Sequence, residues 1–450
     1  MLSSSALAAM ILAHVVPSTC ASEPAKVTDP LVKAHHIRFG NEAQYRTAIE
    51  MAVSQRDLTM VAPMLYTMRF RRDDQGGITR ALARITGKNY GGDWFRWSQY
   101  LQKEDIPTID EFDEFLFNHL RVIDPDFSRF IYPGVSHRVR LQEVLWGGVP
   151  AVDGIPPLDH PPMVEADRAT YLSDDERVFG IQIGDDTRAY PYRFMDWHEM
   201  LNDTIGGQPV SLAYCTLCGS GILFDTSHAD GHYRFGSSGL LYRSNKLMFD
   251  HATYSLWNQF TGTPVIGPLT NDDVRLVQLP LVSTTWRQWR EAHPTTQVMN
   301  GETGHQRDYS PGAAYSDYFN SPDLMFPART DDRKLRQKAR VFAIRISGAE
   351  KAWPLRNFRK GKVINDSLGV LNVVLIGDEA SREVRAYRRG ELTFNKLKGT
   401  LRKVEAGGLT WDVTEKELTS SDGQRLSRLP GHLAFWFAWH NFADGESLAR

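Results

Sequence analysis

Residues 178–212 read VFGIQIGDDTRAYPYRFMDWHEMLNDTIGGQPVSL, and they align without gaps on residues 341–375, VFAIRISGAEKAWPLRNFRKGKVINDSLGVLNVVL. Twelve of the 35 pairs are identical, far above what chance gives between segments of ordinary composition. Ala189 matches Ala352, Pro191 matches Pro354, Arg193 matches Arg356, and Asn202-Asp203-x-x-Gly206 matches Asn365-Asp366-x-x-Gly369. Further on, LPLVSTTWRQW (279–289) matches LPGHLAFWFAW (429–439), which lays Trp286 and Trp289 over Trp436 and Trp439. In the first copy, apolar and polar residues alternate around Gly184-Asp185-Asp186, the pattern of a β-hairpin. The sequence therefore predicts a duplicated, mostly β domain, with a first copy over 146–330 and a second, degenerate copy over 331–450.

Upstream the period changes. From about 41 to 119, YRTAIEMAV, MVAPMLYTMRF, ITRALARITG and FDEFLFNHLRVI place apolar residues three and four apart, as on helices. Turn signals such as DDQGG and NYGGDW separate them. Such short helix pairs resemble a HEAT-type solenoid fragment, and a plain helical subdomain fits equally well. The expected fold class is α+β: a helical region over 30–145, then the β repeat. GGVPAVDGIPPLDHPP (147–162) reads as an extended connection between them.

With 52 Lys and Arg against 54 Asp and Glu, the net charge of −2 provides no electrostatic footprint for nucleic acid or an anionic membrane surface. The run ALAAMILAHVV near the start is too short to span a bilayer, and PSTCASEPA resembles a signal-peptidase site. Residues 1–22 are read as a signal peptide cleaved near Ala21, with lipidation of Cys20 as the alternative. The mature chain is expected to have no transmembrane span and to be exported to the periplasm or cell envelope. Cleavage would leave two cysteines.

Residues shared by the copies are expected to serve the fold, and those in one copy are free to serve chemistry. The Pro191/Pro354 and Asn-Asp pairs read as turn chemistry. The second copy has no cysteine: Cys215 falls opposite Asp378, and His198 opposite Gly361. Cys215, Cys218 and His198 are therefore the candidate catalytic residues. In LAYCTLCGSGILFD (212–225) the two cysteines flank two residues, and three chemistries use that spacing. Two thiolates can chelate a soft metal ion, cycle between dithiol and disulfide, or form a static disulfide. The last is the least useful, because so short a loop holds little chain entropy. The motif joins strand to strand, unlike redox motifs that open a helix. For a metal site, Cys215, Cys218 and His198 are the ligand candidates, with Met248 a weaker one beside Asp250 and His251. That donor set suits copper or zinc.

DWHEMLNDTIGG, YCTLCGSGILFD, FGSSGLLYRSNKLMFDHATYSLWNQFTG, TTWRQWREAHP and LPGHLAFWFAWHNF together resemble the bacterial and archaeal domain of unknown function 3179 family, over roughly 145–445. The resemblance implies an exported or lipid-anchored protein. Selenocysteine in some members implies that a position of the Cys-x-x-Cys type is redox-active. Relatives usually carry arginine where this chain has His251, which puts that residue in doubt as a shared ligand. The Cys-x-His and Cys-x-x-His pairs of a Rieske cluster are absent. The leading expectation is a thiol/disulfide redox protein acting on an unidentified protein or thiol partner, with His198 as proton acceptor or thiolate stabiliser. The alternatives are a non-catalytic copper- or zinc-binding module and an interaction protein that works through its helical region.

Overall fold

A computed structural model of the protein describes residues 28–71, 75–330, 334–346, 348–443 and 447–449. The expected leader over 1–22, with Cys20 and Ala21, lies outside them. Six helices occupy the region read as helical: α1 (Pro30–Phe39), α2 (Glu42–Gln55), α3 (Val61–Met68), α4 (Gln75–Thr86), α5 (Trp94–Lys103) and α6 (Phe112–Arg121). Their starts follow from side chains that accept the first free amides, Asp29 for α1, Asn41 with Gln44 in a capping box for α2, and Asp93 for α5. α6 buries Phe112, Phe115, Leu116 and Leu120 on one face. These helices and the sheet that opens on β1 (Val144–Trp146) share one apolar core, which includes Trp97, Phe130, Leu240 and Phe249. No helix among the described residues is long and apolar enough to cross a membrane.

Beyond β1 the chain is mainly strand. β2 (Arg177–Ile183) and β3 (Asp186–Pro191) form the expected hairpin, with Val178 opposite Pro191. Helix α7 (Tyr192–His198) leads to β4 (Met200–Ile205), β5 (Gln208–Cys215) and β6 (Ser220–Asp225), paired in that order. β7 (Phe235–Tyr242) and β8 (Asn245–Asp250) belong to the sheet of β1, and β9 (Val282–Thr285) returns to β2 before α8 (Trp286–Ala292). A strap over 301–328, carrying the short helix α9 (Ser316–Asn320), crosses the top of this unit.

The segments that matched in sequence make the same pairs. β10 (Arg340–Ile346) and β11 (Ala349–Pro354) set Val341 opposite Pro354. β12 (Lys362–Leu368), β13 (Leu371–Asp378) and β14 (Glu383–Arg388) follow, and Asp378 lies opposite Glu383 just as Cys215 lies opposite Ser220. β15 (His432–Phe435), followed by α10 (Trp436–Phe442), pairs Phe435 with Arg340, as β9 pairs Thr285 with Arg177. Trp286, Trp289, Trp436 and Trp439 are all fully buried.

The Asn-Asp pairs do not make turns. They sit inside β4 and β12, where Asn202 both donates to and accepts from the Phe235 backbone, and Asn365 does the same with Phe394. Asp203 accepts from Arg188 and Tyr190, and Asp366 from Lys351 and Trp353. Their role is structural, but they satisfy a neighbouring strand end rather than a turn. The two units also exchange contacts: β15 packs on β6, β9 packs on β14, Phe435 N donates to Cys218 O at 2.8 Å, and Thr284 Oγ1 donates to Glu383 at 2.6 Å.

Candidate functional site

Cys215 ends β5, and Thr216, Leu217, Cys218 and Gly219 turn the chain into β6. The Cys218 amide donates to Cys215 O at 3.2 Å, and Gly219 takes the left-handed conformation, φ +57°, that closes the turn. In the second unit the same tip is made without sulfur. Asp378 accepts from the amides of Ala380 and Ser381, and Arg382 holds the left-handed position at φ +55°. The cysteines are thus not needed to shape the turn.

Both thiols are free and buried, at 1% exposure for Cys215 and 0% for Cys218. They share an apolar cluster with Met248, Trp257, Phe435 and Trp436. Asn245 Nδ2 donates to Cys218 Sγ at 3.3 Å, and the Cys218 sulfur lies 3.5 Å from Ser244 O. Asn245 is itself held by Gln259, which clamps the backbone of Ala213 and Ser220 on either side of the turn. Lys246 Nζ donates to Glu199 O at 2.6 Å and stands 3.9 Å from the Glu199 carboxylate. Glu199 also accepts from Thr216 Oγ1 at 2.7 Å.

These neighbours divide the two thiols. Burial works to raise Cys215, but the hydrogen bond from Cys218, the Lys246 amide and the Lys246 ammonium overcome it and hold Cys215 below an ordinary thiol. Burial and the facing Cys215 sulfur push Cys218 well above. Burial brings Lys246 down to about 8 and raises Glu199. One sulfur is therefore the better thiolate, with an ammonium close to neutrality beside it.

The structure does not bring His198 into this group. It is the last residue of α7, and its ring nitrogens are taken by Pro156 O at 2.8 Å and Tyr309 Oη at 2.6 Å. Burial holds it down at about 4, so it is a neutral structural histidine. Its chain neighbour Glu199, in a left-handed turn at φ +57°, is the residue that reaches the cysteine loop. Met248 lies in the same cluster as the sulfurs. Asp250 accepts from Trp257 and Thr253, and His251 pairs with Asp153 at 3.2 Å. Among the described residues, no group of three or more His, Cys, Asp or Glu is gathered to hold a metal ion. Two thiols with an ammonium at their side do not complete a zinc site.

The loop is roofed by the strap. Tyr318 Oη donates to Leu217 O at 2.7 Å. Tyr315, at φ +58°, faces Glu199 and Thr216, and the Glu199 charge followed by burial raises its phenol. On the strap's outer side lies a cavity of about 470 Å³, lined by Pro156, Asp196, Trp197, Arg307, Tyr315 and Tyr318 among others. Glu199, Lys246 and Tyr315 escaped sequence reasoning: each lies far from the cysteines in the chain, and only the strand pairings join them.

A family described as "Protein of unknown function (DUF3179)" matches residues 152–446. No curated protein and no solved structure matches the chain.

Proposed function

Because the chain belongs to the DUF3179 family, whose function is not established, we propose from the site's geometry that it is a thiol/disulfide redox protein working through Cys215 and Cys218. The observation that carries the reading is a pair of free, buried thiols on one turn, with Asn245 donating to Cys218 at 3.3 Å and Lys246 close to Cys215. Cys215 thiolate attacks a disulfide of a partner. A bond forms between the two sulfurs, the partner's S–S bond breaks, and its leaving thiolate takes a proton from Lys246. The Lys246 amine then takes the proton of Cys218, whose thiolate attacks the Cys215 sulfur. The mixed disulfide breaks, and the second leaving thiolate is protonated from water. The partner gains two electrons and two protons, and the protein is left with a Cys215–Cys218 disulfide.

Burial selects the partner. Both sulfurs are buried under Tyr315 and Tyr318, which favours a small or extended disulfide over a globular surface. The export expected from residues 1–22 supports the reading, since a dithiol couple has oxidised partners outside the cytoplasm. The matched strand registers support reading the chain as two copies of one unit, of which only the first is equipped for chemistry.

The test is to equilibrate native protein in glutathione buffers of graded ratio, quench by alkylation and weigh the products. Wild type loses two hydrogens as one internal disulfide, and Cys218→Ser stops at a glutathione adduct on Cys215. Two cysteines that stay alkylatable in the folded protein at every ratio would overturn the reading.

A further inference from the structure

On the far side of the cysteine turn, between the two units, lies a second cavity of about 370 Å³. Arg177, Arg340 and Arg382 all line it. They are related through the repeat. Arg177 and Arg340 hold the same position in their units, each opposite the last residue of a returning strand, Thr285 and Phe435. Each reaches across to the other unit's turn. Arg177 donates to Ser381 O at 2.6 Å and Ala380 O at 3.2 Å, and Arg340 NH1 stands 3.3 Å from where a Cβ on Gly219 would lie. Arg382 occupies the place of Gly219 in the second turn and adds a third guanidinium where the first unit has no side chain.

Three guanidiniums gathered on one cavity wall are costly to desolvate, and folds pair such groups or leave them for a ligand. Among the described residues, neither Arg340 nor Arg382 makes a hydrogen bond or ion pair to a carboxylate, and Arg340 lies over the Phe435 ring at 4.7 Å. The carboxylates on the cavity wall have partners of their own: Glu176 pairs with Arg193, Asp196 accepts from Tyr214, and Asp175 accepts from Ser173. Burial and then the charge of Arg382 bring Arg177 and Arg340 down to about 10, so both remain cations at neutral pH. On the same wall the Tyr192 hydroxyl donates to Ser283 Oγ at 3.0 Å.

We propose that this cavity binds an oxyanion, with Arg177, Arg340 and Arg382 as its ligands. The class is a tetrahedral or planar polyoxygen anion, either free phosphate or sulfate or the phosphate head of a small organic molecule, since guanidinium forks match such groups. Neither cysteine lines this cavity, and the site stands whether or not they cycle.

The test is isothermal titration and thermal unfolding of the full chain with inorganic phosphate, sulfate and glycerol phosphate, against chloride at equal ionic strength. Phosphate is expected to bind saturably and raise the unfolding midpoint, and chloride to do neither. Glycerol phosphate binding markedly tighter than phosphate would identify an organic headgroup, and equal binding a free oxyanion. Arg382→Asn, which keeps the left-handed backbone within reach, should weaken phosphate roughly tenfold or more. It should also raise the midpoint of the ligand-free protein by removing repulsion, a combination a merely structural arginine would not produce. Arg388→Gln, an exposed charge on β14, should leave phosphate binding unchanged. Equal effects of phosphate and chloride, or undiminished binding in Arg382→Asn, would overturn the proposal.

Discussion

Asp196 gives the sharpest quantitative test of the electrostatics around the cavities. It is a carboxyl on α7 with 9% exposure, and it accepts from Tyr214 Oη at 3.0 Å. Burial, helped by the charge of Glu199 and opposed by the Tyr214 hydrogen bond, raises it from 3.8 to about 7. A carboxyl raised on folding contributes stability that is fully present below its unfolded value and is lost as pH rises through its folded value. Here the window runs from about pH 4 to about pH 7. At about 1.4 kcal/mol for each pH decade, the loss across it is about 4 kcal/mol. Asp196→Asn keeps the acceptor for Tyr214 and removes the charge. Relative to wild type, the variant should therefore gain about 4 kcal/mol between pH 4 and pH 7. Glu199 is raised in the same direction and its charge is part of the Asp196 shift, so the gap includes their mutual repulsion. Urea unfolding of the two proteins across that range measures the gap. Curves that stay parallel from pH 4 to pH 7 would refute a buried, uncompensated Asp196.

Three further outcomes follow from the site. Lys246→Met removes the ammonium beside Cys215 and should raise the pH at which thiolate absorbance and alkylation develop; an unchanged profile would remove Lys246 from the chemistry. His198→Gln should leave that same profile where it is, because the ring is bound to Pro156 and Tyr309, and a shifted profile would restore His198 to the site. Gly219→Ala has to adopt φ +57° with its Cβ 3.1 Å from the Phe435 ring, and it should lower stability by about 1–3 kcal/mol in thermal unfolding; a neutral result would show that the turn relaxes freely.

Much of the architecture was legible because the matched segments, 178–212 and 341–375, leave a mark in the sequence that does not depend on long-range contacts. The hairpins, the strands flanking the cysteine turn and the buried tryptophans could be read from alternation and from the repeat. The helical segments showed their period, and capping residues mark several of their starts. The Asn-Asp pairs were misassigned because side chains that satisfy a neighbouring strand look locally like turn formers. In the site, the cysteines were visible as what one copy has and the other lacks. Their true neighbours were not, since Lys246 reaches Glu199 only through the packing of β8 against the β5 sheet. His198 and Glu199 are adjacent in the chain, and the left-handed turn at Glu199 sends the two side chains to different partners.

The cover over the thiols has a consequence for how the chain comes to be made. Cys215 and Cys218 are shielded by Tyr318, by Phe435 and by Trp436. Those residues lie a hundred or more positions toward the carboxyl end for the strap, and more than two hundred for β15 and α10. During synthesis or translocation from the amino end, the sulfurs emerge long before their lid exists. The interval in which the sulfurs lie uncovered closes only when β15 packs on β6 and Phe435 N reaches Cys218 O.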